Sequence, residues 1–201
     1  MVLQEKGLDL VLVRHGQTQG NLDRCYNGST DQPLCAEGVA TCRARGEDHS
    51  VVKVHVSPLL RARQTAKLCF PAAEQVVVDD LRETDFGAFE GKSYEQLKDD
   101  PEYIAWIEGN CEAPCPGGES RAQACERTIR AFRELVESAV TVGDDRVVIV
   151  AHGGTIMALM ERFAVERRPF HEWRVPNCSG YRGRVVLDSS DEIAIRDYEP
   201  W

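Results

Sequence analysis

The chain has 201 residues, 42% apolar and 28% charged, the balance of a globular domain with a real core rather than of a disordered or fibrous chain. Its net charge of −9 argues against nonspecific binding of nucleic acid, yet leaves room for a small anionic ligand held by a local arginine cluster. No apolar run approaches the roughly 20 residues that span a bilayer, and no basic segment precedes an apolar one at the N-terminus; the expectation is a soluble, cytoplasmic protein with no membrane partner.

Leu8–Val13, apolar and β-branched, reads as a first strand. Ala36–Glu47 follows as a helix, Val51–Val56 as a second strand and Leu59–Phe70 as a helix behind Ser57-Pro58, with Pro58 suited to a first turn because its missing N–H would be unpaired there. Gln75–Val78 is a short third strand, and Asp79–Lys92 is a loop rich in Asp, Glu and Gly. Ser93 can cap a short helix with Gln96 at the capping-box position, and Pro101–Glu108 continues helical. Asn110–Gly118, with its prolines and glycines, must be loop. Ser120–Val140 is a long helix with apolar positions near a 3.6 period; Arg146–Val150 is a buried strand and Gly154–Phe163 the helix behind it. Val185–Leu187 and Ile193–Ile195 read as late strands on an antiparallel edge, which could pair with a second copy to give a homodimer. Strands alternating with helices specify an α/β fold with a parallel sheet. No linker divides the chain, so residues 1–201 are expected to form one domain, with 93–118 as a helical cap insert.

The eight cysteines are scattered through a chain long enough to need no disulfide staples, and are expected to be free thiols. Cys111 and Cys115 are the closest pair, but no second pair with zinc-ligand spacing accompanies them.

Two segments share a design: "VLVRHG" and "VIVAHGG" each run a strand straight into His-Gly. In an open parallel sheet ligands bind beyond the carboxyl ends of the strands, so His15 and His152 share a crevice if their strands are neighbours. The glycines let the backbone approach a ligand and turn N–H groups toward it. "SPLLRARQT" adds Arg61 near a third strand end, with Arg63 pointing elsewhere on the helix, and "LRETDFGAFEG" adds the acids Glu83 and Asp85. Two imidazoles, two guanidiniums and a carboxylate at one set of strand ends suit phosphoryl transfer, which needs cations on the equatorial oxygens, an in-line nucleophile and an acid for the leaving oxygen. There is no Walker glycine loop and no aspartate cluster suited to magnesium, so the nucleophile falls to the protein, and neutral histidine is a good one.

These residues resemble the histidine phosphatase superfamily, also called phosphoglycerate mutase-like. Its opening pattern Arg-His-Gly-x-Ser/Thr-x-x-Asn is matched by Arg14 to Asn21, and its Ser-x-Leu-x-Arg-Ala-x-x-Thr by Ser57 to Thr65. The acid motif is matched from Leu81 to Gly91 and the late His-Gly-Gly at 152–154. Together the motifs cover residues 8 to about 165 in family order. The resemblance implies a three-layer α/β/α fold with a mostly parallel central sheet and a small helical cap. It implies that His15 attacks phosphorus and becomes phosphohistidine. Arg14, Arg61 and His152 would hold the phosphoryl oxygens, assisted by Thr18, Asn21 and the Gly153 N–H. Glu83 would protonate the leaving alcohol and then activate water. His15 must be neutral at the first step and is expected below the unperturbed value of about 6.5, because cations surround it. The resemblance implies no cofactor and no metal ion in the chemistry.

Asn27 and Gly28 fall where the family's first loop passes over the substrate and are assigned to binding by the resemblance; as a bare dipeptide, Asn-Gly is a turn. The run Pro116-Gly117-Gly118-Glu119-Ser120, with Arg127 after it, and the "FGAFEG" loop look like α-ribazole phosphatase and related small phosphatases. The insert Lys92–Gly118 is short and has only Lys92 and Lys98 as bases among its acids, a poor setting for a second acidic group on the substrate. A phosphatase acting on a small phosphorylated metabolite is therefore expected ahead of a phosphoglycerate mutase or sugar bisphosphatase. Inactive members that serve as binding modules are the alternative of another class; His15, Glu83 and His152 are all present here and argue against it. Glu90 is expected to fix its loop by hydrogen bonding, His49 and His55 to be structural, His171 to be surface, and Arg43, Arg45, Arg63, Arg130 and Arg133 to form solvated helix faces.

Overall fold

The structure, a computed structural model, describes residues 7–187 and 192–201; residues 1–6 and 188–191 of the expected 1–201 span lie outside the described residues. Strands β1 (Gly7–Arg14), β2 (Lys53–Val56), β3 (Glu74–Val77), β4 (Arg146–Ala151), β5 (Gly180–Leu187) and β6 (Ile193–Pro200) form one mixed sheet in the order β3-β2-β4-β1-β5-β6. The first four run parallel, while β5 is antiparallel to β1 and β6 antiparallel to β5.

Side-chain alternation along the central strands builds two cores. Leu8, Leu10 and Leu12 of β1 and Val147, Ile149 and Ala151 of β4 face one core; Val13 of β1 and Val148 and Val150 of β4 face the other. Helix α2 (Ala36–Arg45) and helix α3 (Leu60–Cys69) cover the second face through Cys42, Ala62, Ala66 and Cys69. Helix α6 (Arg121–Val142) and helix α7 (Gly153–Phe163) cover the first through Phe132, Val136, Ile156 and Leu159. Burial on both faces is why these strands read as continuous apolar runs. The result is the expected three-layer α/β/α arrangement.

The remaining elements shape the crevice. Helix α1 (Gln19–Leu22) is a single turn started by a Thr18–Asn21 capping box. Helix α4 (Tyr94–Leu97) carries the Ser93–Gln96 box expected from sequence, and helix α5 (Pro101–Glu108) follows, capped by Asp100. Phe89, Leu97, Tyr103 and Cys115 make a third, small core, with Tyr26, Phe86 and Trp106 packed on it. Segment 93–118 is thereby fastened to the loops that follow β1 and β3. Short 3-10 turns at Asp79–Leu81 and Gly87–Phe89 punctuate the acidic loop.

Two boundaries differ instructively. Pro58 lies before the helix cap rather than in its first turn: Leu59 stays extended and α3 starts at Leu60. Strands β5 and β6 are far longer than their apolar kernels. Gly180 and Gly183 disguise the start of β5, and at Gly180 only glycine tolerates the approach of the Leu12 backbone. No helix among the described residues is long and apolar enough to cross a membrane.

Candidate active site

β1 and β4 are neighbours in parallel register, with Arg14 opposite Ala151. The chain leaves β1 toward α2 on one face and leaves β4 into α7 on the other. The carboxyl ends of the two strands therefore border a crevice of the kind that binds ligands in α/β folds. His15 and His152 are the residues just past those ends, with ring centroids 5.1 Å apart.

His15 is buried, and its Nδ1 lies 2.6 Å from the carbonyl oxygen of Gly16. A carbonyl only accepts, so Nδ1 carries the proton and Nε2 keeps its lone pair. Burial, then the Arg61 and Arg14 charges, hold His15 well below the ordinary histidine range, outweighing the Gly16 bond. This imidazole is neutral, with Nε2 unprotonated. Its position is fixed by main-chain bonds from the His15 amide to Ala151 (3.0 Å), from the Gly16 amide to Thr65 Oγ1 (2.9 Å) and from Asn177 Nδ2 to the His15 carbonyl (3.0 Å).

His152 is fully buried and is held low by burial, by Arg61, by His15 and by Arg14. Its Nε2 lies 2.7 Å from Ser57 Oγ, and its Nδ1 is buried with no partner. Ser57 Oγ already accepts from the Leu59 amide at 3.3 Å. Where the hydroxyl donates to Nε2, the His152 proton sits on Nδ1, which is then an unpaired donor.

Two guanidiniums complete the cationic wall. Arg14 donates from Nη1 to the Val175 carbonyl (2.8 Å), and its Nε is buried without a partner. Arg61, the second residue of α3, is fully buried; its Nη atoms donate to the carbonyls of Thr30 (2.8 Å), Gly28 (2.7 Å) and Asn27 (3.2 Å), leaving Nε unpaired. Burial lowers both arginines from their usual values, and the Glu83 charge opposes it in each case. The Glu83 carboxylate accepts from the Gly154 amide at the start of α7 (3.2 Å) and from the Thr84 amide (2.9 Å). Gly153, at the head of α7, stands beside Arg14: a Cβ there would lie 3.5 Å from Arg14 Nε.

The first loop is built from both ends. Asn21 Oδ1 accepts from the Thr18 amide, the Thr18 hydroxyl and Asn177 Nδ2. Thr18 Oγ1 also accepts from Asn27 Nδ2 (2.9 Å). Thr18 thus shapes the loop with a hydroxyl engaged on every side. Glu90 behaves as expected: its carboxylate collects the amides of Gly28, Ser29, Thr30 and Phe86 and the Thr30 hydroxyl. Asp85 is spent on the Ser29 hydroxyl and the Gly87 amide. His171 is exposed, with its ring against Phe170. His49 is exposed beside Glu47, and His55 is packed into β2. Of the helix-face arginines, Arg130 pairs with Asp80 at 2.6 Å, Arg45 stacks over Trp201 and Arg133 over Phe163.

Three supports carried no assigned role in the sequence. Ser57 stood only as the first letter of the arginine motif, and Asn177 lies beyond the matched motifs. Arg127 is buried against Glu119 at 2.6 Å and donates to the carbonyls of Asp80, Arg82 and Glu83. Burial works against the Glu119 charge, but the Arg127 pair and the Asp85 amide hold its carboxyl below the usual range. This pair grips the loop that carries Glu83 by its backbone.

Residues 10–189 match the histidine phosphatase superfamily (branch 1). The chain belongs to this superfamily. It is 36% identical over 161 residues to 2,3-bisphosphoglycerate-dependent phosphoglycerate mutase 2 of Gloeobacter violaceus, covering 75% of this chain and 73% of that one. It is 32% identical over 165 residues to the metal-independent phosphoserine phosphatase of Arabidopsis thaliana, covering 77% and 68%. Among solved structures it is similar to the α-ribazole phosphatase of Shigella flexneri, with a TM-score of 0.77 at 25% identity over 94% of this chain and 95% of the other. The superfamily's members are phosphatases and mutases.

Proposed function

We propose that this member is a phosphomonoester hydrolase that works through a phosphohistidine on His15. One observation carries the reading. Arg14 Nε, Arg61 Nε and His152 Nδ1 are buried nitrogens without partners, the first two donors and the third a donor when Ser57 donates to Nε2, grouped around a histidine whose Nε2 is free. Buried donors are costly to leave unpaired, and a tetrahedral dianion would satisfy all three at once.

In the proposed reaction His15 Nε2 attacks phosphorus opposite the ester oxygen. The P–O bond breaks as Glu83 passes its proton to the leaving alcohol. Arg14, Arg61 and His152 take the charge on the equatorial oxygens, with Asn21 and Gly153 at the margin. Glu83, now a carboxylate, takes a proton from the water that attacks the phosphohistidine; the P–N bond breaks and inorganic phosphate leaves. Asn27 and Gly28 shape the loop over the crevice. A small cleft lined by Glu83, Arg121, Cys125 and Phe170 opens beside the acid. The substrate is taken to be a small phosphorylated metabolite, and the likeness to an α-ribazole phosphatase makes α-ribazole 5′-phosphate a candidate. The mutase reading draws on the mutase-named relative and is the second one.

The test is quenched labelling with a radiolabelled phosphomonoester. Wild-type protein should give an acid-labile, base-stable phosphoenzyme and steady release of phosphate. His15→Ala should give neither, and its retention of turnover would refute the assignment. A panel with α-ribazole 5′-phosphate, phosphoserine and 3-phosphoglycerate, run with and without 2,3-bisphosphoglycerate, separates hydrolysis from mutase exchange.

A further inference from the structure

Directly beneath the nucleophile loop lie three thiols that the chain brings from distant places. Cys42 comes from α2, Cys69 is the last residue of α3, and Cys178 precedes β5. All three are buried, and their sulfurs lie within 4.8 Å of one another. We propose that Cys42, Cys69 and Cys178 form a structural site for a thiophilic divalent cation of the Zn²⁺ and Cd²⁺ class.

The donor set decides the class of ion. Three sulfurs and no carboxylate suit a soft or borderline cation and exclude calcium and magnesium. With metal–sulfur bonds of about 2.3 Å, three sulfurs around one ion stand about 4 Å apart, so the cluster needs only a slight contraction. The electrostatics fit a divalent ion. Three thiols release three protons on binding, and the resulting trithiolate complex carries a single negative charge, which Arg45, already acting on Cys178, offsets.

Cys69 lines a surface cavity of about 330 Å³ bounded by Arg45, Asp48, Arg182 and Trp201. Water or a small anion in that cavity can complete a tetrahedron, as in zinc sites with three protein ligands. The backbone around Cys178 is held for this geometry. Cys178 has a φ of 53°, a left-handed conformation unusual for cysteine, and its amide donates to the carbonyls of both Arg14 and His15. Cys42 Sγ lies against Gly16, where a Cβ would stand 2.7 Å from it. The ion would therefore pin α2, α3 and the lead into β5 to the floor of the His15 loop, without touching the phosphoryl group. Sequence spacing could not show this, since the three positions are separated by 27 and 109 residues.

The experiment is a Cd²⁺ titration of the reduced, metal-stripped protein, following thiolate-to-metal absorption. One equivalent should bind, it should displace prebound Zn²⁺, and the melting temperature should rise. Cys42→Ser, Cys69→Ser and Cys178→Ser should each abolish the band, whereas the double variant Cys111→Ser, Cys115→Ser should keep it. In the wild type, Zn²⁺ should protect the peptides of Cys42, Cys69 and Cys178 from alkylation under mild denaturation, and a chelator should remove that protection; this readout needs no variant to fold. A band that survives Cys69→Ser, or equal alkylation with and without Zn²⁺, would overturn the site.

Discussion

Ser57→Ala isolates the least conspicuous part of the candidate site. The hydroxyl is fully buried and lies 2.7 Å from His152 Nε2. Its removal leaves a dry imidazole nitrogen with no partner, and an unmade buried hydrogen bond costs about 1–3 kcal/mol. If the whole cost fell on the transition state, kcat/KM would drop by roughly 5- to 150-fold. The upper end is excessive, because part of the loss is shared by the free protein and appears as stability instead. In the proposed reaction what reaches the chemistry is orientation: without Ser57, His152 can carry its proton on either nitrogen, and only Nδ1–H would serve a phosphoryl oxygen. A drop of about tenfold in kcat/KM is expected, together with about 1 kcal/mol lost from folding. The assays are steady-state kinetics on an aryl and an alkyl phosphate, urea unfolding, and ¹⁵N NMR of the imidazoles. Wild-type kcat/KM with His152 still protonated on Nδ1 would refute the reasoning.

Glu83→Gln should slow alkyl phosphates by about 10²–10⁴-fold and aryl phosphates much less, since a phenolate needs little protonation; equal slowing of both counts against Glu83 as the acid. At Gly28 a Cβ would collide with the Thr84 carbonyl and approach Glu90 Oε1, so Gly28→Ala should cost about 1–3 kcal/mol in urea unfolding and lower activity by shifting the carbonyl that Arg61 holds; an unchanged unfolding midpoint would contradict this packing. Burial and the arginines hold His15 and His152 well below 6.5 in the folded chain, so the unfolded chain binds more protons on acidification. Their contribution to stability is complete above about pH 6.5 and is lost as pH falls below it, at up to roughly 1.4 kcal/mol per pH unit for each histidine. Unfolding midpoints at descending pH measure this, with His152→Gln as the comparison; identical slopes in the two proteins would exclude His152 from the effect.

How much of this was legible in the sequence follows from how local each cause is. The strands β1 and β4 announced themselves because burial on both faces leaves uninterrupted apolar runs, and each runs directly into its histidine. The Ser93 and Gln96 cap could be read because a capping box is a four-residue event. The longer reach of β5 could not, since Gly180 and Gly183 are there for a neighbouring backbone rather than for the strand's own preference. Asp85 read from sequence as the second candidate acid behind Glu83, and its partners show why: a turn consumes Asp85, while Glu83 rests on the head of α7. Ser57, Asn177 and Arg127 act across distances of 95, 162 and 44 residues, which no local pattern records.

These long-range partners share a physical task. Two guanidiniums in a buried crevice repel one another before any anion arrives, and two imidazoles would join them if charged, so the fold must hold the group against that repulsion. Arg61 is restrained by three loop carbonyls and Glu90 by the amides of the same loop, so residues 27–30 are clasped through both kinds of peptide dipole. Arg127 does the same for the backbone of the Glu83 loop, and Glu119 neutralises it there. The first clamp spends both Nη groups of Arg61 on loop carbonyls and leaves its Nε unpaired. Burial meanwhile keeps both histidines neutral, which limits the repulsion to the two arginines. Charge stabilisation by such a site needs little rearrangement when an anion enters, because the cost of assembling it was met in folding.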